Sequence, residues 1–168
     1  IDGLLCRGTY LFVGAPKLGK SFLMEQLAYH VSTGLPLWEY PVRQGTVLYL
    51  ALEDNYARLQ KRLSRMFDVE GSENLHLAVQ SSTITTGLDV QIEGFVKEFP
   101  ETRLIMIDTL QKVRDAGVEH YSYSADYELV NRLKALADRY GICLLVVHHT
   151  RKMESEDSFE MISGTNGL

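Results

Sequence analysis

The sequence is poor in cysteine, holding two in 168 residues, Cys6 and Cys143. Both sit beside apolar residues and neither has metal-ligand spacing, so reduced, buried thiols of a cytoplasmic protein are expected rather than a disulfide framework or a zinc site. No apolar run approaches the roughly 18–20 residues needed to span a bilayer, which removes a membrane partner. No signal peptide heads the chain. Positive charge is not in excess either: 17 Lys and Arg stand against 22 Asp and Glu, a net charge of −5. There is no global basic field to draw in nucleic acid, so any such contact must come from local patches, other subunits or segments outside this chain. Internal repeats and low-complexity tracts are missing. So is an initiator methionine: the chain runs from Ile1 to Leu168, the form expected of a piece excised from a longer protein. What remains, 45% apolar and 23% charged residues, is the composition of one globular domain over residues 1–168.

Against that background one stretch stands out. Gly14-Ala15-Pro16-Lys17-Leu18-Gly19-Lys20-Ser21 follows the apolar run Tyr10–Val13 and leads into a helical pattern. This is the strand–GxxxxGKS–helix order of a phosphate-binding P-loop. Gly14 and Gly19 allow a tight turn that brings backbone N–H groups up to an anion. The helix start adds unpaired N–H donors and the positive end of its dipole, which extends the phosphate-contacting set to Phe22. Lys20 supplies a mobile point charge for the β- and γ-phosphates, and the Ser21 hydroxyl suits Mg²⁺. Pro16 stiffens the loop. Lys17 either touches a phosphate or is simply solvated.

The rest of the chain alternates strands and helices. Phe22, Leu23, Leu27, Ala28 and Val31 give a helix to about Thr33, stopped by Gly34 and Pro36. Trp38 is expected to be core or a loop anchor. Thr46–Leu52 reads as a buried strand ending in Glu53-Asp54, after which Asp54 or Asn55 caps a helix with Tyr56, Leu59, Leu63, Met66 and Phe67 on its apolar face. Arg58, Arg62 and Arg65 form a basic stripe beside that face, read as a solvated surface, or else as a subunit interface or a nucleotide-edge contact. Leu75–Val79 is a short strand with His76 expected at the surface, and Leu88, Ile92, Phe95, Val96 and Phe99 mark the next helix. Arg103-Leu104-Ile105-Met106-Ile107-Asp108 is a buried strand that ends in a carboxylate not needed for packing. Paired with the P-loop it has the form of the second nucleotide-binding signature, Walker B, with Asp108 poised to hold Mg²⁺ opposite Ser21. A long polar loop is expected from Thr109 to Ser124, then a helix to Tyr140 capped by Gly141. Ile142–Val147 is a last buried strand, terminating in His148-His149-Thr150-Arg151-Lys152. The expected fold is α/β, a mostly parallel central sheet with helices on both faces. In a parallel sheet the carboxyl ends share one edge, where ligands bind, and that edge gathers Gly14–Ser21, Glu53-Asp54, Asp108 and His148-His149.

With Gly14–Ser21, Tyr49–Asp54, Ile107-Asp108-Thr109-Leu110 and Val146-Val147-His148-His149 in place, the chain resembles the RecA-like core of P-loop ATPases. Within it, the likeness is to the RepA-type hexameric replicative helicase family. That resemblance covers nearly the whole chain and implies a RecA-like P-loop NTPase core that binds ATP and Mg²⁺. It implies that Glu53 activates the attacking water and that His149 senses the γ-phosphate. It also implies a homo-oligomeric ring, typically a hexamer, with the nucleotide at the subunit interface and single-stranded DNA as a partner. The arginine finger and the C-terminal part of the core are expected beyond Leu168. The residues themselves agree on the base: Asp108 is followed by Thr109 and not by a second carboxylate, so the group that polarises water must come from elsewhere. Glu53 is nearest by topology, with Asp54 its rival. His148 is a second nucleotide-contacting candidate beside His149. Arg151 and Lys152 serve a neighbouring site or nucleic acid, or are solvated.

Two other readings stay open. One is a nucleotide-dependent switch or loader whose output is a protein contact without DNA-stimulated hydrolysis. The other is a small-molecule kinase, against which stands the lack of an arginine-rich lid after Asp108. ATP rather than GTP follows from the resemblance and from the absence of an Asn-Lys-x-Asp guanine-reading motif.

Overall fold

The computed structural model describes residues 1–68, 71–114 and 123–149, with side chains in the last stretch from Tyr127 onward. Five strands form one sheet: β1 (Gly8–Gly14), β2 (Thr46–Ala51), β3 (Leu75–Ala78), β4 (Thr102–Asp108) and β5 (Cys143–His149). Their spatial order is β1-β5-β4-β2-β3, and every pairing is parallel. The helices α1 (Lys20–Thr33), α2 (Tyr56–Phe67), α3 (Leu88–Glu98) and α4 (Tyr123–Tyr140) supply the crossovers that parallel pairing requires. Among the described residues no helix is long and apolar enough to cross a membrane.

Strand residues alternate between two cores, as the period of two demands. Leu48, Leu50, Ile105, Ile107, Leu144 and Val146 pack on one face against α3 and α4. Val47, Tyr49, Ala51, Leu104, Met106, Leu145 and Val147 pack on the other against α1 and Leu59 of α2. Burial on both sides explains why these strands read as unbroken apolar runs. α1 stops at Gly34, whose left-handed backbone (φ 76°) turns the chain away and returns its N–H to His30. α2 is capped by Asn55, whose side chain accepts from the Arg58 backbone N–H at 3.0 Å, so of the two expected caps it is Asn55 and not Asp54.

Several expectations need correction. Cys6 is exposed and only Cys143 is buried. Trp38 is 58% exposed, because it occupies the tip of a tight turn closed by paired backbone bonds between Leu37 and Tyr40. The buried residue of that loop is Leu37. His76 is half-buried and packs on Phe99 (ring centroids 4.3 Å) and Phe95 (5.2 Å), because β3 lies beside the aromatic end of α3. The segment after Asp108 begins as a 3-10 turn, Leu110–Val113, with Leu110 and Val113 sunk in the α3/α4 core. The rest of that loop, residues 115–122, and the segment with Arg151 and Lys152 lie outside the described residues.

Candidate active site

Strand register sets the site. Gly14 of β1 pairs with His149 of β5, while Asp108 of β4 pairs with both Val147 and Ala51. Two residues beyond the Asp108 level therefore lie Gly14, His149 and Glu53, on neighbouring tips at one edge. Alternation then selects the face. Tyr49, Ala51, Met106 and Val147 fall on the α1 side, and the same alternation within β4 and β5 puts Asp108 and His149 there, with Glu53 in the turn just beyond β2. His148, the preceding residue of β5, is 2% exposed and pairs in register with Val13.

In the loop from β1 to α1 the two glycines differ. Gly19 immediately precedes α1 in the left-handed region (φ 81°), a conformation that a side chain would strain. Lys17 is also left-handed (φ 67°) and is solvent-exposed. Gly14 is not left-handed, and a methyl group there would make only ordinary contact with Lys20 and Leu18. Lys20 is 7% exposed and folds back onto the loop, its ammonium donating to the carbonyls of Ala15 (2.6 Å) and Gly14 (2.9 Å). Burial lowers its pKa below the ordinary lysine value, while Asp108 and Glu53 pull the other way. Leu18 and Phe22 are exposed at 71% and 51%.

Ser21 and Asp108, 87 residues apart in sequence, meet: the hydroxyl donates to Oδ2 at 2.9 Å. Tyr49 donates its phenol to the same oxygen at 3.1 Å. Burial holds the Asp108 pKa above the ordinary aspartate value, against the two hydroxyl bonds that lower it. Glu53 sits at the rim, half-exposed, between two partners. Oε1 accepts from the Thr109 hydroxyl at 3.2 Å and Oε2 lies 3.3 Å from His149 Nε2. The Asp108–Thr109 peptide is cis.

Asp54 has a different environment from Glu53. It pairs with Arg58 at 2.7 Å and with Arg62, and Arg62 also binds the fully buried Glu25 of α1, its Nε donating at 2.7 Å. Arg62 further lies over the Phe22 ring, 5.5 Å from its centroid. Burial would raise the Asp54 pKa, but the Asn55 backbone N–H and Arg62 outweigh it and hold it below the ordinary value. Of the basic stripe on α2, then, Arg62 is an internal tie between α1 and the β2–α2 corner, whereas Arg65 is exposed. Glu25, Tyr49, Arg62 and Thr109 have no role that the sequence alone assigns. A tyrosine two positions before Ala51 and four before Glu53, on the same strand face, is the one available signal.

A hydroxyl and a carboxylate, both hard oxygen donors, fit Mg²⁺ better than a softer ion. No cluster of three or more His, Cys, Asp or Glu able to hold a metal exists among the described residues. A metal at Ser21 and Asp108 would therefore complete its shell with phosphate and water, as Mg²⁺ does in nucleotide sites. A cavity of about 330 Å³ lined by Arg7, Arg43, Arg103 and Tyr140 lies at the opposite end of the strands and includes no P-loop residue.

A family model described as an AAA domain matches residues 1–155. DNA repair protein RadA of Streptococcus pyogenes serotype M6 is 28% identical over 156 residues, covering 90% of this chain and 30% of that protein. RadA of Streptococcus pneumoniae is 24% identical over 156 residues, with 90% and 32% covered. The chain thus spans about 30% of the length of these curated relatives. Among solved structures, one described as an ATPase domain superposes with a TM-score of 0.64 at 16% identity, covering 87% of this chain and 58% of the other. A DnaB-like replicative helicase, described with its interactions with primase, gives 0.67 at 15% identity, with 91% and 42% covered. These superpositions show the RecA-like fold.

Proposed function

The chain belongs to the AAA domain family, and from that premise we propose that it binds ATP with Mg²⁺ and hydrolyses it as a motor domain acting on nucleic acid. The observation that carries this reading is the convergence at one sheet edge. Ser21 bonds Asp108 at 2.9 Å, Lys20 lies in the loop beside them, and Glu53 stands at the rim within 3.3 Å of His149.

Each residue has a task that its position suits. Backbone N–H groups of the loop from Gly14 to Gly19, Pro16 excepted, and of Lys20 to Phe22 at the start of α1 receive the phosphates. Lys20 exchanges its bonds to the Gly14 and Ala15 carbonyls for bonds to phosphate oxygens, so the cost of desolvating its ammonium is met before the ligand arrives. Ser21 and Asp108 would hold Mg²⁺, which would supply positive charge against the phosphates. Glu53 takes the proton of the attacking water, and Thr109 and His149 fix the direction of its carboxylate. The products are ADP and inorganic phosphate. His149 Nε2 can donate either to Glu53 or to a γ-phosphate oxygen, which supports its reading as the γ-phosphate contact. Asp54 is committed to Arg58 and Arg62 and is not the base.

The exposure of Leu18 and Phe22 beside the site supports a ring of copies, hexameric by analogy with replicative helicases, with the site at the subunit boundary. Single-stranded DNA contacts would come from other segments, in a cytoplasmic setting. The deciding experiment is ATP hydrolysis by the full-length protein with and without single-stranded DNA, alongside its mass in solution. Hydrolysis that ignores DNA while partner binding follows nucleotide state would replace the motor with a switch or loader. Hydrolysis retained in a Lys20→Ala protein would end both.

A further inference from the structure

We propose that Tyr49 is a positioning residue for the metal-holding carboxylate: its buried phenol clamps Oδ2 of Asp108 from beneath the site and fixes how that carboxylate is presented. The inference rests on the reading of Ser21 and Asp108 as the Mg²⁺ pair.

The geometry is specific. Tyr49 is fully buried in the core between the sheet and α1, on a strand whose other inward positions are Val47 and Ala51. A hydroxyl placed there costs stability unless it is bonded, and its partner is Asp108, 59 residues away in sequence, at 3.1 Å. In the β2–β4 pairing Tyr49 stands opposite Met106 and Ala51 stands opposite Asp108. Tyr49 is therefore the diagonal neighbour of Asp108 on the same face, a separation that an aromatic side chain can bridge. Ala51, directly opposite the carboxylate, is small enough to leave the phenol its path. Three residues at alternate positions thus do different things: Tyr49 supports, Ala51 makes room, and Glu53 reaches the rim.

The chemistry of the donor matters as much as its place. Ser21 and Tyr49 both donate to Oδ2, and two donors on one oxygen fix the rotation of the carboxylate. Ser21 is also the hydroxyl that would turn to the metal, and when it does the bond from Tyr49 still holds Asp108. A lysine or arginine in that position would neutralise Asp108 and compete with the cation; a phenol orients it while leaving its charge available. A phenol is neutral near pH 7 and serves as a donor.

The test uses the full-length protein and three variants, Tyr49→Phe, Tyr49→Met and Asp108→Asn. The readout is equilibrium binding of a fluorescent ADP analogue as Mg²⁺ is titrated, together with thermal melts. Losing one hydrogen bond to a charged acceptor should raise the Mg²⁺ concentration for half-saturation by about 10–150-fold in either tyrosine variant that folds. Binding in the absence of Mg²⁺ should stay within about twofold of the parent protein, because the P-loop is untouched. A half-saturation unchanged in Tyr49→Phe or Tyr49→Met, while Asp108→Asn raises it, would reduce Tyr49 to a buried phenol that has merely found an acceptor. No effect from Asp108→Asn would instead remove the Mg²⁺ assignment itself, and this inference with it.

Discussion

The Glu53 carboxylate spans the gap between two strand tips, bonded through Oε1 to Thr109 after β4 and lying 3.3 Å through Oε2 from His149 at the end of β5. As the proposed base, Glu53 held from both sides would need little reorganisation to accept a proton. Glu53→Gln keeps the shape and a bond to Thr109 but removes the basic oxygen. ATP binding should persist within a few-fold while turnover falls by about 10²–10⁴-fold, measured as phosphate release against equilibrium nucleotide binding. Turnover equal to that of the parent protein would move the base elsewhere.

His149 separates from Glu53 in its expected kinetics. His149→Gln retains a donor at the strand tip, whereas His149→Ala leaves one carboxylate oxygen without this partner. If the imidazole contacts the γ-phosphate, the alanine variant should weaken binding of a non-hydrolysable ATP analogue by about 10–150-fold and leave ADP binding unchanged, since one bond to a charged acceptor is worth about 1.5–3 kcal/mol. Equal losses for both nucleotides would show that His149 only supports the rim.

Much of this arrangement is legible in the sequence because it depends on local pattern. The GxxxxGKS spacing needs no partner to be recognised, and Asp108 stands out as a charge at the end of an apolar strand. The alternation of Leu104, Ile105, Met106 and Ile107 between two cores explains why β4 has no polar face to read. What stays hidden depends on distant partners. Tyr49 looks like one more large residue in a buried strand until β4 brings Asp108 beside it. Glu25 lies on the buried face of α1, where a carboxylate has no local reason to be, and its partner Arg62 reads as one member of a surface stripe. Trp38 and His76 mislead for the opposite reason. Their residue types suggest core and surface, but a tight turn lifts Trp38 out and Phe95 and Phe99 close over His76.

Arg62 ties the helix after the P-loop to the corner that carries Glu53, and its loss should be felt first in stability. Glu25 is fully buried, and Arg62→Leu leaves its charge there without a countercharge. A destabilisation of about 3–5 kcal/mol is expected from chemical denaturation of the single variant. Pairing it with Glu25→Leu removes both charges and should recover most of that loss. A double variant as unstable as the single would mean that Arg62 acts through Asp54 or through its packing on Phe22 rather than through Glu25.

Asp54 and Glu25 share this one guanidinium yet answer to pH with opposite sign. For Asp54, burial is outweighed by the Asn55 N–H and Arg62, so its folded pKa lies below the ordinary 3.8. Its contribution is present above that value and is lost as pH falls through the folded pKa. For Glu25, burial dominates over Arg62 and the folded pKa lies above the ordinary 4.5. Its contribution is present below that value and is lost as pH rises through the folded pKa. Asp54→Asn should therefore cost about 1.5–3 kcal/mol at pH 7, and the cost should shrink as the pH is lowered past 3.8. Glu25→Gln should gain on the parent protein as pH rises from 4.5 toward neutrality, because the amide escapes the ionisation that burial opposes. Denaturation of the parent and both variants across this range checks the two slopes. Parallel slopes would mean that the two carboxylates do not divide Arg62 between them as its geometry requires.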